Sequence, residues 1–159
     1  MYYLGIDPGS KGALAFLNPD GSFNSVIDMP TLDGFLEGIK DSKWDFDDPV
    51  TVAIESVHPL PGQSCMASFS YGQNFMLAKA IGKWYNSDPY MVVPQLWKKH
   101  YGLKREKDET KAQYKGKSVE LARKLFPAAS SLLMLSKDGR AEALLIAKYI
   151  YDLKKETNK

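Results

Sequence analysis

Two brief apolar runs, Tyr2 to Ile6 and Ala13 to Leu17, stand either side of the turn-forming stretch Pro-Gly-Ser-Lys-Gly. Runs this short, joined by so tight a connection, read as two antiparallel strands. A third run, Phe23 to Met29, follows a second turn, Asn18-Pro19-Asp20-Gly21, and extends the pair to a three-stranded meander. The fold must therefore accept a meander at its start. Asp7 stands at the carboxyl end of the first strand, where the chain turns.

After the meander the pattern changes period. Leu32, Phe35, Leu36 and Ile39 recur at helical spacing over Leu32 to Ile39, with Thr31 placed to cap that helix. An acidic loop, Asp41 to Pro49, leads to Val50 to Ser56, "VTVAIES", a continuous β-branched run of the kind buried on both faces of a sheet. It too ends in a carboxylate, Glu55. The following stretch, "SVHPLPGQSCMAS", is too rich in Pro, Gly and Ser for regular structure, and helical periodicity resumes over Phe69 to Tyr85. A fifth strand, Tyr90 to Val93, is closed by Pro94. Two helices complete the pattern, Ser118 to Phe126, stopped before Pro127, and Asp138 to Lys155. This order predicts an α/β fold: a mixed five-stranded sheet, three strands antiparallel and then parallel strands, with helices on both faces. Ligand sites in such sheets gather at the carboxyl ends of strands.

At 159 residues and 44% hydrophobic, the chain is expected to form a single domain, 1–159. It has neither an apolar run of the ~20 residues that a membrane crossing needs nor a signal-like start, so a cytoplasmic protein with no membrane partner is expected. Cys65 is the only cysteine, which excludes an intrachain disulfide and leaves no Cys and His cluster at zinc spacing. The formal net charge of +2 conceals an asymmetry. Lys98 to Lys117 holds eight Lys or Arg against three acids, a local +5, so the remainder carries 2 − 5 = −3. Clustered cations of this kind suit a polyanion, since they displace counterions condensed on phosphates, and they equally suit a solvated charged loop.

The acids narrow the chemistry. Asp7 and Glu55 emerge at one edge of the sheet if their strands are parallel neighbours. Asp138 and Glu142, in "KDGRAEALLIA", are four residues apart and share one face of the last helix, where like charges repel. That repulsion reverses if divalent cations lie between the carboxylates. Four acids converging without basic partners would suit hard ions such as Mg²⁺ or Mn²⁺. Two such ions about 4 Å apart stabilise the attacking and leaving oxygens of a phosphoryl displacement. Three of the acids also have a plainer reading: Asp7 as the start of an Asp-Pro-Gly turn, Asp138 as a helix cap, Glu142 as a surface partner of Lys137 or Arg140. Glu55 is harder to dismiss, because the end of a buried apolar strand is a costly place for an unpaired charge.

In this order and at these separations, "GIDPGSKGALA", "AIESVHPLPGQSCMASFSYGQNF", "VVPQLWKKHYGL", "SVELARKLFP" and "KDGRAEALLIA" resemble the RuvC-type Holliday-junction resolvases of the RNase H-like superfamily, especially the small phage-type resolvases. The resemblance spans nearly the whole chain. It implies that Asp7, Glu55, Asp138 and Glu142 are the catalytic and metal-binding acids of a junction-cutting endonuclease, with Asp7 bridging two Mg²⁺ or Mn²⁺ ions. It implies branched DNA as the partner, cut at branch points such as four-way junctions. An alternative keeps the same chemistry and changes the substrate to flaps, forks or three-way branches, a breadth expected if a viral enzyme debranches DNA before packaging. It also implies a homodimer, because symmetric nicks across a junction need two facing sites, and a bacterial host cytoplasm for a phage-encoded chain.

Two departures stand out. The last acid is Glu142 rather than the usual Asp, and it follows Asp138 by four residues rather than three. The position that in cellular resolvases often carries a junction-wedging aromatic holds His58; Phe69 and Tyr71 are the nearby rings able to stack on a base, or to pack within a helix. Candidate phosphate contacts are Lys98, Lys99, Lys104, Arg105, Lys107, Lys111, Lys115 and Lys117. Two other functions compete with the nuclease reading: a non-catalytic junction-binding protein, and a fragment of an actin-like or sugar-kinase-type nucleotide-binding protein.

Overall fold

The computed structural model describes residues 1–41, 48–56, 62, 64–85 and 87–157. Five strands form one sheet: β1 (Tyr2–Asp7), β2 (Ala13–Leu17), β3 (Phe23–Asp28), β4 (Val50–Glu55) and β5 (Tyr90–Val92). Their order is β3-β2-β1-β4-β5. The first three are antiparallel, while β4 runs parallel to β1 and β5 parallel to β4. The expected mixed sheet is therefore present.

Helices α1 (Leu32–Lys40) and α2 (Cys65–Trp84) cover one face. On the other lie α3 (Pro94–His100), α4 (Lys111–Leu125) and α5 (Asp138–Thr157). Side-chain alternation along the strands divides the core accordingly. Leu4, Ile6, Val52 and Ile54 pack beneath α1 and α2 with Phe35, Ala78 and Ile81. Tyr3 and Ala53 point the other way, towards α5. Asp7 and Glu55, in step with Tyr3 and Ala53, consequently belong to the α5 face.

Close backbone approach fixes α5 against β1. A Cβ on Gly5 would lie 2.2 Å from the Ala143 carbonyl oxygen and 2.4 Å from the Ala147 nitrogen. A Cβ on Gly139 would lie 2.0 Å from the Lys11 carbonyl oxygen. These two missing side chains let the first turns of α5 rest on β1 and on the β1–β2 turn. Farther along α5, Tyr151 donates its hydroxyl to the Asp20 carbonyl at 2.6 Å.

Two helix starts and one whole helix depart most from the sequence expectation. α2 begins at Cys65 rather than Phe69, because the Ser64 hydroxyl caps it by accepting from the Ala67 amide at 3.2 Å. α4 begins at Lys111 rather than Ser118, inside the basic stretch, where Thr110 and Gln113 form a reciprocal capping box. α3 was not anticipated at all: Pro94 closes β5 but also occupies the first helical turn, where its missing N–H costs nothing.

Candidate active site

β1 and β4 pair with Ile6 opposite Ile54, so the next residues, Asp7 and Glu55, end the two strands side by side. Because α5 is drawn down by Gly5 and Gly139, its first residue, Asp138, and Glu142 one turn later arrive over the same strand ends. A cleft of about 300 Å³ opens there, lined by Asp7, Gly9, Ser10, Lys11, Lys115, Asp138, Gly139 and Glu142. A larger groove of about 890 Å³ lies away from these acids, between the 106–109 loop and α4. Chemistry rather than size identifies the site.

Asp7, Glu55 and Asp138 are only 8, 7 and 5% exposed, an expensive position for carboxylates without compensation. Burial above all, and then the charges of Glu55, Glu142 and Asp138, hold the Asp7 carboxyl well above the ordinary carboxylate range, against the Gly9 amide that donates to its Oδ1 at 2.8 Å. Glu55 is raised by burial and by Glu142, and opposed by the Trp97 indole, which donates from Nε1 to Glu55 Oε1 at 2.9 Å. The Asn74 amide donates to the Gly9 carbonyl at 3.2 Å and ties the turn after Asp7 to α2.

The acids do have basic partners, contrary to the condition set from sequence. Lys98, from α3, lies 3.3 Å from Glu142 Oε1. Lys115, from α4, pairs with Asp138 Oδ2. Burial alone would lower the Lys98 ammonium, but Glu142 and Glu55 outweigh it and hold it above its ordinary value. Lys137 and Arg140, expected beside Glu142, instead bind Asp28 at 2.6 and 2.5 Å. Asp138 adopts helical torsions at the start of α5, and its carboxylate is turned to Lys115.

A divalent cation suits this donor set. All four acids offer hard oxygen ligands, and Asp7 and Glu55 are held above the ordinary carboxylate range by burial first and by neighbouring carboxylates second, a state that a bound cation would relieve. Asp7, Glu55, Asp138 and Glu142 would be its holders. Among the described residues no three acidic, His or Cys side chains already stand at ligand spacing, with Lys98 and Lys115 holding Glu142 and Asp138.

The remaining candidates are dispersed. Lys99, Lys104, Arg105, Lys107 and Lys111 are exposed along α3, the following loop and the start of α4. Lys117 is engaged with Glu109 at 2.9 Å. Phe69 is 63% exposed on α2. Tyr71 stacks on Phe75 and donates its hydroxyl to the Glu55 carbonyl at 3.4 Å. His58 lies outside the described residues. Trp97, Asn74 and the inward roles of Lys98 and Lys115 escaped the sequence reading, since each depends on which helix meets which strand end.

No protein-family model matches the sequence, and no curated protein matches it. Solved structures do match. Thermus thermophilus RuvC in complex with a Holliday junction substrate aligns over 99% of this chain and 98% of its own, with a TM-score of 0.58 at 15% identity. A second T. thermophilus RuvC structure aligns over the same shares, with a TM-score of 0.55 at 16% identity. The sheet order, the two strand-end acids and the acid-bearing last helix thus belong to a chain with the RuvC-type, RNase H-like fold.

Proposed function

We propose that the protein is a metal-dependent endonuclease that resolves four-way DNA junctions by paired nicks, acting as a cytoplasmic homodimer. The observation that carries this reading is the convergence of four acids on the α5 face of a RuvC-type fold: Asp7 and Glu55 at paired strand ends, with Asp138 and Glu142 brought over them by α5. Divalent metal, when bound, supplies activation of water and neutralises charge at the attacking and leaving oxygens. The chain's own part is to hold the carboxylates: Gly9 orients Asp7, Trp97 orients Glu55, and α5 delivers the other two at one-turn spacing. Exposed cations from Lys99 to Lys111 are suited to the phosphate backbone, and Phe69 offers an exposed ring for stacking.

The experiment is cleavage of a labelled synthetic four-way junction with Mg²⁺ or Mn²⁺, beside linear duplex, a three-way branch and the Asp7→Asn variant. Symmetric nicks in the junction, lost in Asp7→Asn while junction binding persists, are expected. Comparable cutting of the three-way branch would extend the substrates to branched DNA in general.

One observation favours a second reading. Lys98 and Lys115 already neutralise Glu142 and Asp138, as they would in a junction-binding protein without metal chemistry. Tight junction binding without cutting in either metal would support it.

A further inference from the structure

α3 is seven residues long, yet two of its consecutive side chains meet two different acids of the cluster. It follows β5, whose Val92 is paired with Glu55, so the helix starts within reach of that strand end. Trp97 then reaches Glu55, and Lys98 reaches Glu142. The Lys98 ammonium also lies 4.8 Å from the Trp97 ring centroid.

Trp97 is the group of interest. It is fully buried among Val92, Val119 and the other residues beneath α5, and its indole N–H donates to Glu55 Oε1 at 2.9 Å. Core filling alone asks for no polar atom; Phe or Leu would serve. An indole N–H is a donor and nothing else. It can hold a carboxylate oxygen without competing for a cation, and a donor locked by core packing stops the carboxylate turning about its last bond. Groups that orient a ligand in this way typically govern metal affinity or activity by 10- to 100-fold.

We propose that Trp97 is a positioning residue of the candidate metal centre: its indole N–H fixes the Glu55 carboxylate, through Oε1, in the orientation from which Glu55 acts as a ligand. The inference rests on the four acids being a divalent-metal site. α3 is then a brace for the acid cluster, with its tryptophan fixing one carboxylate.

The test removes the N–H and keeps the shape. Trp97 is replaced by its benzothienyl isostere, in which sulfur stands where the N–H was, and in parallel by Trp97→Phe. Mn²⁺ binding without DNA is read from the loss of the free-ion EPR signal, together with metal-free melting, junction affinity and cutting as a function of Mn²⁺. The isostere is expected to fold and to melt somewhat below the wild-type protein, because the buried Glu55 loses its donor, to bind the junction equally, and to bind Mn²⁺ about tenfold or more weakly. Trp97→Phe should show the same Mn²⁺ loss with a lower melting temperature, and if it fails to fold the isostere decides. Wild-type Mn²⁺ affinity in a folded isostere would overturn the inference. Asp7→Asn separates this from failure of the metal reading: if the wild-type protein binds no more Mn²⁺ than Asp7→Asn, both fall, whereas wild-type binding matched by the isostere removes the role of Trp97 alone.

Discussion

Asp7 is a buried acid whose proton is easier to keep than to lose, and this makes metal-free stability depend on pH. Its folded-state pKa lies above the unfolded value, so the native protein retains protons that the unfolded chain has released. By linkage, stability is greatest at low pH within that window and falls as the pH rises from the ordinary carboxylate range towards about 8. Glu55 shifts in the same direction and adds to the effect. Scanning calorimetry without metal should show the melting temperature falling from about pH 5 to about pH 8, with Mg²⁺ reversing the fall. Asp7→Asn should flatten the dependence and melt higher than wild type at the alkaline end, while losing cleavage. Lys115 offers a second residue-level test, because its ammonium contests Asp138 with any cation. Lys115→Met should melt lower than wild type without metal, since Asp138 loses its partner, and should gain more than wild type on adding Mg²⁺. An equal gain would mean that Lys115 and metal do not share Asp138.

The placement of α5 depends on two absent side chains. Gly5→Ala would drive a methyl into the backbone of Ala143 and Ala147, neither of which can move without the helix. An overpacking cost of about 1–3 kcal/mol is expected by urea unfolding, with cleavage falling further than stability because Asp138 and Glu142 shift with the helix. Gly116 in α4 is the contrast: a Cβ there meets nothing within 4 Å. Gly116→Ala should stabilise by about 0.5–1 kcal/mol. Legibility in the sequence followed the same division. The strands and their terminal acids could be read because apolar runs, turn residues and a carboxylate at the boundary are local signals. α3 and the start of α4 are masked by the density of charge from "WKKH" to "KGK", although Thr110 and Gln113 carry a readable capping box. The pairing of Lys98 with Glu142, and of Trp97 with Glu55, joins elements 44 and 42 residues apart and leaves no local trace.

At the scale of the whole molecule, the basic stretch, apart from Lys117 with its partner Glu109, divides into two sets of cations with different expected thermodynamics. Lys98 and Lys115 face acids in the cleft, whereas Lys99, Lys104, Arg105, Lys107 and Lys111 face solvent. If the second set contacts DNA phosphates, the logarithm of junction affinity should fall steeply with the logarithm of salt, and each such residue changed to Gln should reduce that slope by about 1. Lys104→Gln and Lys107→Gln, measured by fluorescence anisotropy across a salt series, should do so without altering the Mn²⁺ requirement for cutting. An unchanged slope would make this stretch a solvated surface. The sheet order also has a consequence in time. The four acids enter the chain at positions 7, 55, 138 and 142, and the last two belong to the helix that covers the oldest strand. During synthesis, therefore, a nascent chain can carry a complete meander and most of its cations while lacking half of its acid cluster. If the four acids cut DNA as proposed, that activity is withheld until α5 leaves the ribosome and docks on β1.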